Sequence, residues 1–158
     1  MSESQGLAAP EMHKRFAESI NHEVWELLEE QTRSREEDER MLYAAYASGY
    51  HWMHAGTALH RQRAEWLVSH VLAALGRGEG AWAHARRCME LTEQHPDLMQ
   101  DFDRAYALEA LGRAAALCGW PEEAERYSAL AEQAGNAIQN DEDRQIFFGD
   151  FRKGRSSV

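Results

Sequence analysis

Apolar residues in this chain recur at the spacing of an α-helix and hardly anywhere at that of a strand, which restricts it to an all-α architecture. Phe16, Ile20, Val24, Leu27 and Leu28 form an i, i+4, i+8, i+11, i+12 stripe widened by Trp25, so the spacing predicts a first helix from Pro10 to about Gln31. Ser34 and Glu37 make a capping-box pair that opens a second helix, with Glu36, Glu37, Asp38 and Glu39 suited to the positive end of its dipole. Its small middle residues, Ala44, Ala45, Ala47, Ser48 and Gly49, predict the close approach of another helix before Trp52 and Met53 resume large-side-chain packing, and Gly56 ends it. A third helix follows Thr57, carries Leu59, Trp66, Leu67 and Val71, and stops at Gly76, Gly78 and Gly80. The fourth holds Trp82, Ala85, Cys88 and Leu91 and ends at His95-Pro96, because proline disfavours helical geometry in the residue before it. The fifth, with Phe102, Tyr106, Leu108 and Leu111, reaches Gly119. The sixth starts at Pro121 and runs through Ala124, Tyr127 and Ala131 to Ile138. A short last helix from Asp141 carries Ile146, Phe147, Phe148 and Phe151, which cap the end of the last hairpin or meet a second copy in a homodimer. We therefore expect a flexible leader over 1–10, a single domain over 11–151 and a fraying tail over 152–158.

The third and fourth helices repeat in the fifth and sixth. An offset of 43 residues lays Gly76 on Gly119, Ala81 on Ala124, Ala64 on Ala107 and Val68 on Leu111. One helical hairpin per repeat is the signature of stacked arrays, in which each hairpin buries its apolar face on the next. Leu111-Gly112, Ala115, Gly119, Ala124 and Ala131 stand at the spacings of the tetratricopeptide repeat, which this stretch resembles. Ala115, Ser128 and Asn136 depart from that pattern, as does Ser69 in the earlier unit, and the likeness covers roughly residues 58 to 138. It implies a short tetratricopeptide-like array of antiparallel hairpins, about six helices and a short seventh. The N-terminal half, with Asn21, Trp25, Ala44-Ala45 and the run from Ala47 to Trp52, resembles a set of uncharacterised bacterial proteins of similar size, which implies a bacterial origin and no particular chemistry.

Composition narrows the partners. A net charge of -10 repels phosphate backbones and anionic membranes, so neither nucleic acid nor membrane is expected as a partner. No stretch approaches the roughly 18 apolar residues of a membrane span, and the N-terminus lacks a secretory pattern, so a soluble cytoplasmic protein is expected. Cys88 and Cys118 fall in different repeats and read as reduced, buried thiols. Gly76-Arg77-Gly78-Glu79-Gly80 has neither the preceding strand nor the lysine of a phosphate loop and reads as a turn. No cofactor motif and no catalytic signature stands out.

Three constellations remain. His51 and His54 lie three apart on one helical face and could share a metal, with His13 and His22 to complete the set; equally, they could be capping, stacking or exposed histidines. Asn21, Ser48, His51, Arg63 and Glu65 could line a pocket with Trp25, Trp52 and Trp66 as its floor, or Arg63 could simply join one hairpin to the next through an ion pair. Arg61, Arg63, Arg77, Arg86 and Arg87 concentrate positive charge in the third and fourth helices, where an acidic peptide could dock or where Glu65, Glu79 and Glu90 could pair with them. The first expectation is a non-enzymatic interaction module, an adaptor or scaffold that binds a protein or peptide through Arg63, Trp66 and His70. The alternatives are a small-molecule or metal-binding protein with a site around Asn21, His51, Trp52 and Arg63, and a self-associating structural protein.

Overall fold

The computed structural model describes residues 9–156, and these are all α-helical or in the short links between helices. The order is α1 (Ala9–Glu29), α2 (Arg35–Ala55), α3 (Ala58–Ala74), α4 (Gly78–Gln94), a single 3-10 turn at Pro96–Leu98, α5 (Asp101–Leu117), α6 (Pro121–Asn136) and α7 (Asp141–Ser156). Helices adjacent in sequence pack together, and α3 also packs on α5 and α5 on α7. The result is three stacked hairpins closed by a seventh helix. Most of the expected leader lies outside the described residues, as do the last two positions of the expected tail; Ala9 and Pro10 already belong to α1, and α7 runs past Arg152 as far as Ser156.

Local signals in the sequence act as anticipated at most boundaries. Ser34 Oγ accepts the Glu37 N–H at 3.2 Å while the Ser34 N–H donates to Glu37 Oε2 at 2.7 Å, a closed capping box at the head of α2. The repeat is real in backbone geometry. Gly76 and Gly119 both take the left-handed conformation, at φ +72° and +75°, where a side chain would be strained. Past them, the Arg77 N–H reaches back to Leu72 O (2.8 Å) and the Trp120 N–H to Ala115 O (3.0 Å), the same helix-ending bond 43 residues apart. The repeat also explains Ser69, which stands at the place of Gly112. A Cβ on Gly112 would meet Ser128 Oγ at 3.0 Å and Ala124 O at 3.4 Å; Ser69 occupies the equivalent crossing and turns the approach into a hydrogen bond, Oγ to Ala81 O at 2.8 Å.

Four expectations are corrected. Gly78 and Gly80 are not turn residues but the first turn of α4: a Cβ at Gly78 would lie 3.1 Å from the Cys118 Sγ and one at Gly80 3.2 Å from Leu72 Cδ1, so both serve close helix approach. Ile138 falls just beyond α6, buried in the link to α7. Phe16 is half exposed, because what stands opposite it on α2 is the His51 ring, 5.3 Å away, and not an apolar core, and α1 stops at Glu29. Met53 is also exposed, while Gly49 makes the predicted close crossing, its missing Cβ 3.8 Å from Ala64.

The core is two clusters sharing a seam. Val24, Leu27, Met41, Leu67, Val71 and Leu72 gather the first three helices, and Leu108, Leu111, Ile138, Phe147 and Phe151 gather the last three. Trp66 and Trp82 pack against both. The C-terminal aromatics turn inward: Phe147 is fully buried and Phe151 nearly so, with Ile146 left on the outside. That arrangement covers the end of the third hairpin.

Candidate functional site

Alternate helices of the stack, α1, α3, α5 and α7, together line one cleft of about 360 Å³, and α2, α4 and α6 contribute nothing to it. Its walls are aromatic. Trp25 from α1 stacks on Trp66 of α3 (centroids 5.9 Å apart), Trp66 meets Tyr106 of α5 edge-on at 5.6 Å, and Phe102 closes the α5 side. Asn21 stands on the same face of α1 as Trp25, one helical turn earlier.

The cleft is organised around Arg63 and Asp103. The guanidinium donates Nε to Asp103 Oδ1 at 2.9 Å and Nη2 to Oδ2 at 3.1 Å, a bidentate fork laid over the Phe102 ring. Asp103 is nearly buried and also accepts the Gln100 N–H at 2.8 Å, so one carboxylate caps α5 and ties it to α3. One turn before Trp66 on α3, the buried Gln62 donates Nε2 to Thr92 Oγ1 (3.0 Å) and to Asp103 O (3.3 Å), while Thr92 Oγ1 donates to Cys88 O. Because the Thr92 proton is committed to Cys88, the amide nitrogen must face Thr92, which fixes the orientation of Gln62. Its Oε1 and the indole N–H of Trp66 are then left without a partner among the described residues. At the rim, the Tyr106 hydroxyl donates to Asp150 of α7 at 2.6 Å; burial and then that carboxylate push the phenol pKa up.

Behind the cleft lies a second, largely buried polar group. Arg113 of α5 donates Nη2 to Glu109 Oε2 at 2.7 Å and Nη1 to His70 Nδ1, and all three side chains are largely buried. The 43-residue offset that relates the hairpins makes His70 and Arg113 equivalent positions, and the structure puts them in contact. Burial, and then the Arg113 charge, lower the His70 pKa to about 3, so the ring is neutral with its proton on Nε2 and it stacks on Trp66 at 4.9 Å. Burial pushes the Glu109 carboxyl up, against the opposing pull of Arg113.

His70 carries a pH dependence with a definite sign. Unfolded, it protonates near its ordinary pKa of 6.5; folded, it stays neutral down to about 3, so the folded state loses stability as pH falls from 6.5 toward 3. The slope for one such group is about 1.4 kcal/mol per pH unit, or about 2 kcal/mol between pH 7 and pH 5. Urea unfolding of wild type and His70→Gln at those two pH values measures it: the variant, which keeps an acceptor for Arg113 but cannot titrate, should lose most of that difference. An unchanged difference would assign the pH effect to other groups.

The polar set expected to share one pocket is dispersed over the molecule. Asn21, Arg63, Trp66 and Trp25 do meet in the cleft. Ser48 is elsewhere, buried between α1 and α2 with its hydroxyl donated to Ala17 O at 3.2 Å, and Trp52 stacks on His60 at 4.4 Å. Glu65 faces the opposite side of α3, where it pairs with His84 at 2.6 Å. His51 sits at the far end of the first hairpin, its Nδ1 2.8 Å from that of His13. His54 joins them, but by stacking on the His13 ring at 4.5 Å and 17°, so the in-plane lone pairs run in parallel planes and do not converge. His22 pairs with Glu26 on an exposed face. Among the described residues, no group of three or more His, Cys, Asp or Glu side chains could hold a metal ion. Of the arginines expected to form a basic patch, Arg63 is taken by Asp103 and Arg87 by Glu90. Both thiols are free, with Cys88 buried and Cys118 half-buried; burial pushes each thiol pKa up. Among the described residues no helix is long and apolar enough to cross a membrane.

Fold and site define an all-α protein of stacked helical hairpins with one aromatic cleft on its alternate-helix face. No family model matches the chain, and neither a curated protein nor a solved structure matches it.

Proposed function

We propose that this chain is a non-catalytic helical-repeat interaction module of tetratricopeptide-like type, which binds a peptide segment of a partner protein through the cleft between α1, α3, α5 and α7. The observation that carries this reading is the lining: every contributing side chain comes from an alternate helix of the stack. One helix of each hairpin presenting a shared face is how stacked repeats build an extended binding groove. Trp25, more than a third exposed, and the half-buried Trp66, Phe102 and Tyr106 supply the aromatic anchoring surface typical of interface centres. The tetratricopeptide-like character is supported by the paired glycine turns at Gly76 and Gly119 and by the close crossings at Ser69 and Gly112.

The titratable groups support binding over chemistry, since Arg63 with Asp103, and Arg113 with Glu109 and His70, are each committed to one another. A small-molecule ligand is the second reading, favoured by the cleft volume of about 360 Å³, at the small end of ligand pockets. Its site would then be Asn21, Arg63 and Trp66, without His51 or Trp52.

Selection of a displayed random-peptide library on the immobilised chain tests the first reading. Enriched peptides should bind wild type in the micromolar range and Trp25→Glu at least tenfold more weakly, the substitution being at an accessible position that leaves the buried core intact. Failure to enrich any peptide, or equal binding to Trp25→Glu, would put the function elsewhere.

A further inference from the structure

The side of α3 turned away from the cleft carries a hydrogen-bonded relay drawn from three helices. The Tyr46 hydroxyl of α2 lies 3.2 Å from His84 Nε2 of α4, and His84 Nδ1 lies 2.6 Å from Glu65 Oε2 of α3. A carboxylate can only accept, so the imidazole proton sits on Nδ1, and in the neutral ring Nε2 is left to accept the phenol proton. Nucleophile, base and orienting carboxylate thus stand in hydrogen-bond sequence, the arrangement that activates a hydroxyl. All three line one pocket of about 180 Å³, the space of about six water molecules. Arg61 lines it too. Among the described residues it forms no ion pair, while Glu65, one turn further along α3, is held by His84.

We propose that Tyr46 is a nucleophilic phenol, a site of covalent acylation by an anionic acyl donor, with His84 as its general base, Glu65 as the residue that positions the base, and Arg61 as the seat of the donor's anionic group. The Tyr46 Oη–H proton passes to His84 Nε2 as Oη bonds the acyl carbon. The bond from that carbon to its leaving oxygen then breaks, and the leaving group departs with the proton, which restores the neutral imidazole; nothing is oxidised or reduced. The pocket has room for a short acyl group, and a guanidinium with no carboxylate partner suits a phosphate or carboxylate on the donor. One transfer to Tyr46 is a modification and not a turnover. It is therefore independent of peptide binding in the cleft on the other side of α3, and either reading can fail alone.

The test treats the full chain with two acetyl donors, the anionic acetyl phosphate and the neutral p-nitrophenyl acetate, and locates acetylated tyrosines over time by mass spectrometry. Tyr46 should react at least tenfold faster than Tyr43 with both donors, although exposure alone ranks them the other way, Tyr43 being 74% and Tyr46 44% exposed. His84→Gln should bring Tyr46 down to the rate of Tyr43. Arg61→Gln should slow acetyl phosphate about tenfold and leave p-nitrophenyl acetate unchanged. Glu65→Met should slow Tyr46 with both donors and, in imidazole ¹⁵N spectra, move the His84 proton from Nδ1 toward Nε2, a link between tautomer and rate that a bracing role alone would not produce. Tyr46 reacting no faster than Tyr43, a comparison within the wild-type chain that needs no variant to fold, overturns the assignment. So does an unchanged Tyr46 rate in folded His84→Gln. An Arg61→Gln variant that does not discriminate between the donors overturns the anionic donor.

Discussion

Replacing Arg113 with methionine should lower the unfolding free energy by about 3–5 kcal/mol, because it strips the partner from a largely buried charge. Glu109 is 8% and Arg113 12% exposed at the side chain, and Glu109 Oε2 holds Arg113 Nη2 at 2.7 Å. The backbone of α7 closes over the pair so tightly that a Cβ at Gly154 would lie 2.7 Å from Glu109 Oε1. With Arg113 gone, Glu109 must be buried charged and unpaired or take up a proton, and burial already favours the protonated form. His70 Nδ1 loses its donor in the same step. The double variant Glu109→Met/Arg113→Met exchanges the ion pair for apolar contacts of similar length and should recover most of the loss, leaving it within about 1–2 kcal/mol of wild type. Urea unfolding followed by circular dichroism separates the cases. A single variant as stable as wild type would mean that Glu109 finds solvent at little cost, and that the pair contributes no net stability.

Phe147→Ala should cost a comparable amount, about 3–5 kcal/mol, through the cavity it leaves. The ring is fully buried, stacks with Phe151 at 5.7 Å and meets Tyr106 edge-on at 5.1 Å. Its seat depends on Gly135 of α6, where a Cβ would fall 2.4 Å from Phe147 Cε1. Since α7, among the described residues, packs mainly on α5 and α6, this ring is its main anchor, and the variant should release α7 before the hairpins unfold. Hydrogen exchange resolves the order: amides of α7 should lose protection in Phe147→Ala while those of α3 keep it. Uniform loss along the chain would show that α7 is an integral part of one cooperative unit.

Much of the architecture was legible in the sequence because helix ends are written in single residues. Ser34 with Glu37, Gly56, Gly76, Gly119 and Pro121 each act locally, and each marks an end or a beginning in the structure. Phe16 misled because periodicity reports which face of a helix is apolar and says nothing about what stands opposite it, here the His51 ring. Gly78 and Gly80 misled because a glycine that permits a turn and a glycine that permits a close crossing look the same until the neighbour, Cys118 or Leu72, is known.

The site was half legible. Asn21, Trp25, Arg63 and Trp66 could be chosen as polar and aromatic residues bordering apolar stripes, but which stripe faced which depended on the stacking of hairpins. That stacking brings Phe102, Asp103 and Tyr106 from α5 and Asp150 from α7 to the same cleft, far away in sequence from Arg63 and Trp66. Two signals were present all the same. Asp103 follows Gln100 by three, the spacing of a residue that bonds back to the start of its own helix, and Gln62 is an amide in the middle of an apolar helical face. The repeat offset, followed one step further, aligned His70 with Arg113, the two residues that the fold joins.

A crystal structure of the chain with the tightest peptide from the library selection tests the central claim most directly. The account predicts a peptide side chain seated between Trp25, Trp66 and Phe102, with the Arg63–Asp103 fork intact. A peptide lying along α2, α4 and α6, with the cleft unchanged, would contradict it.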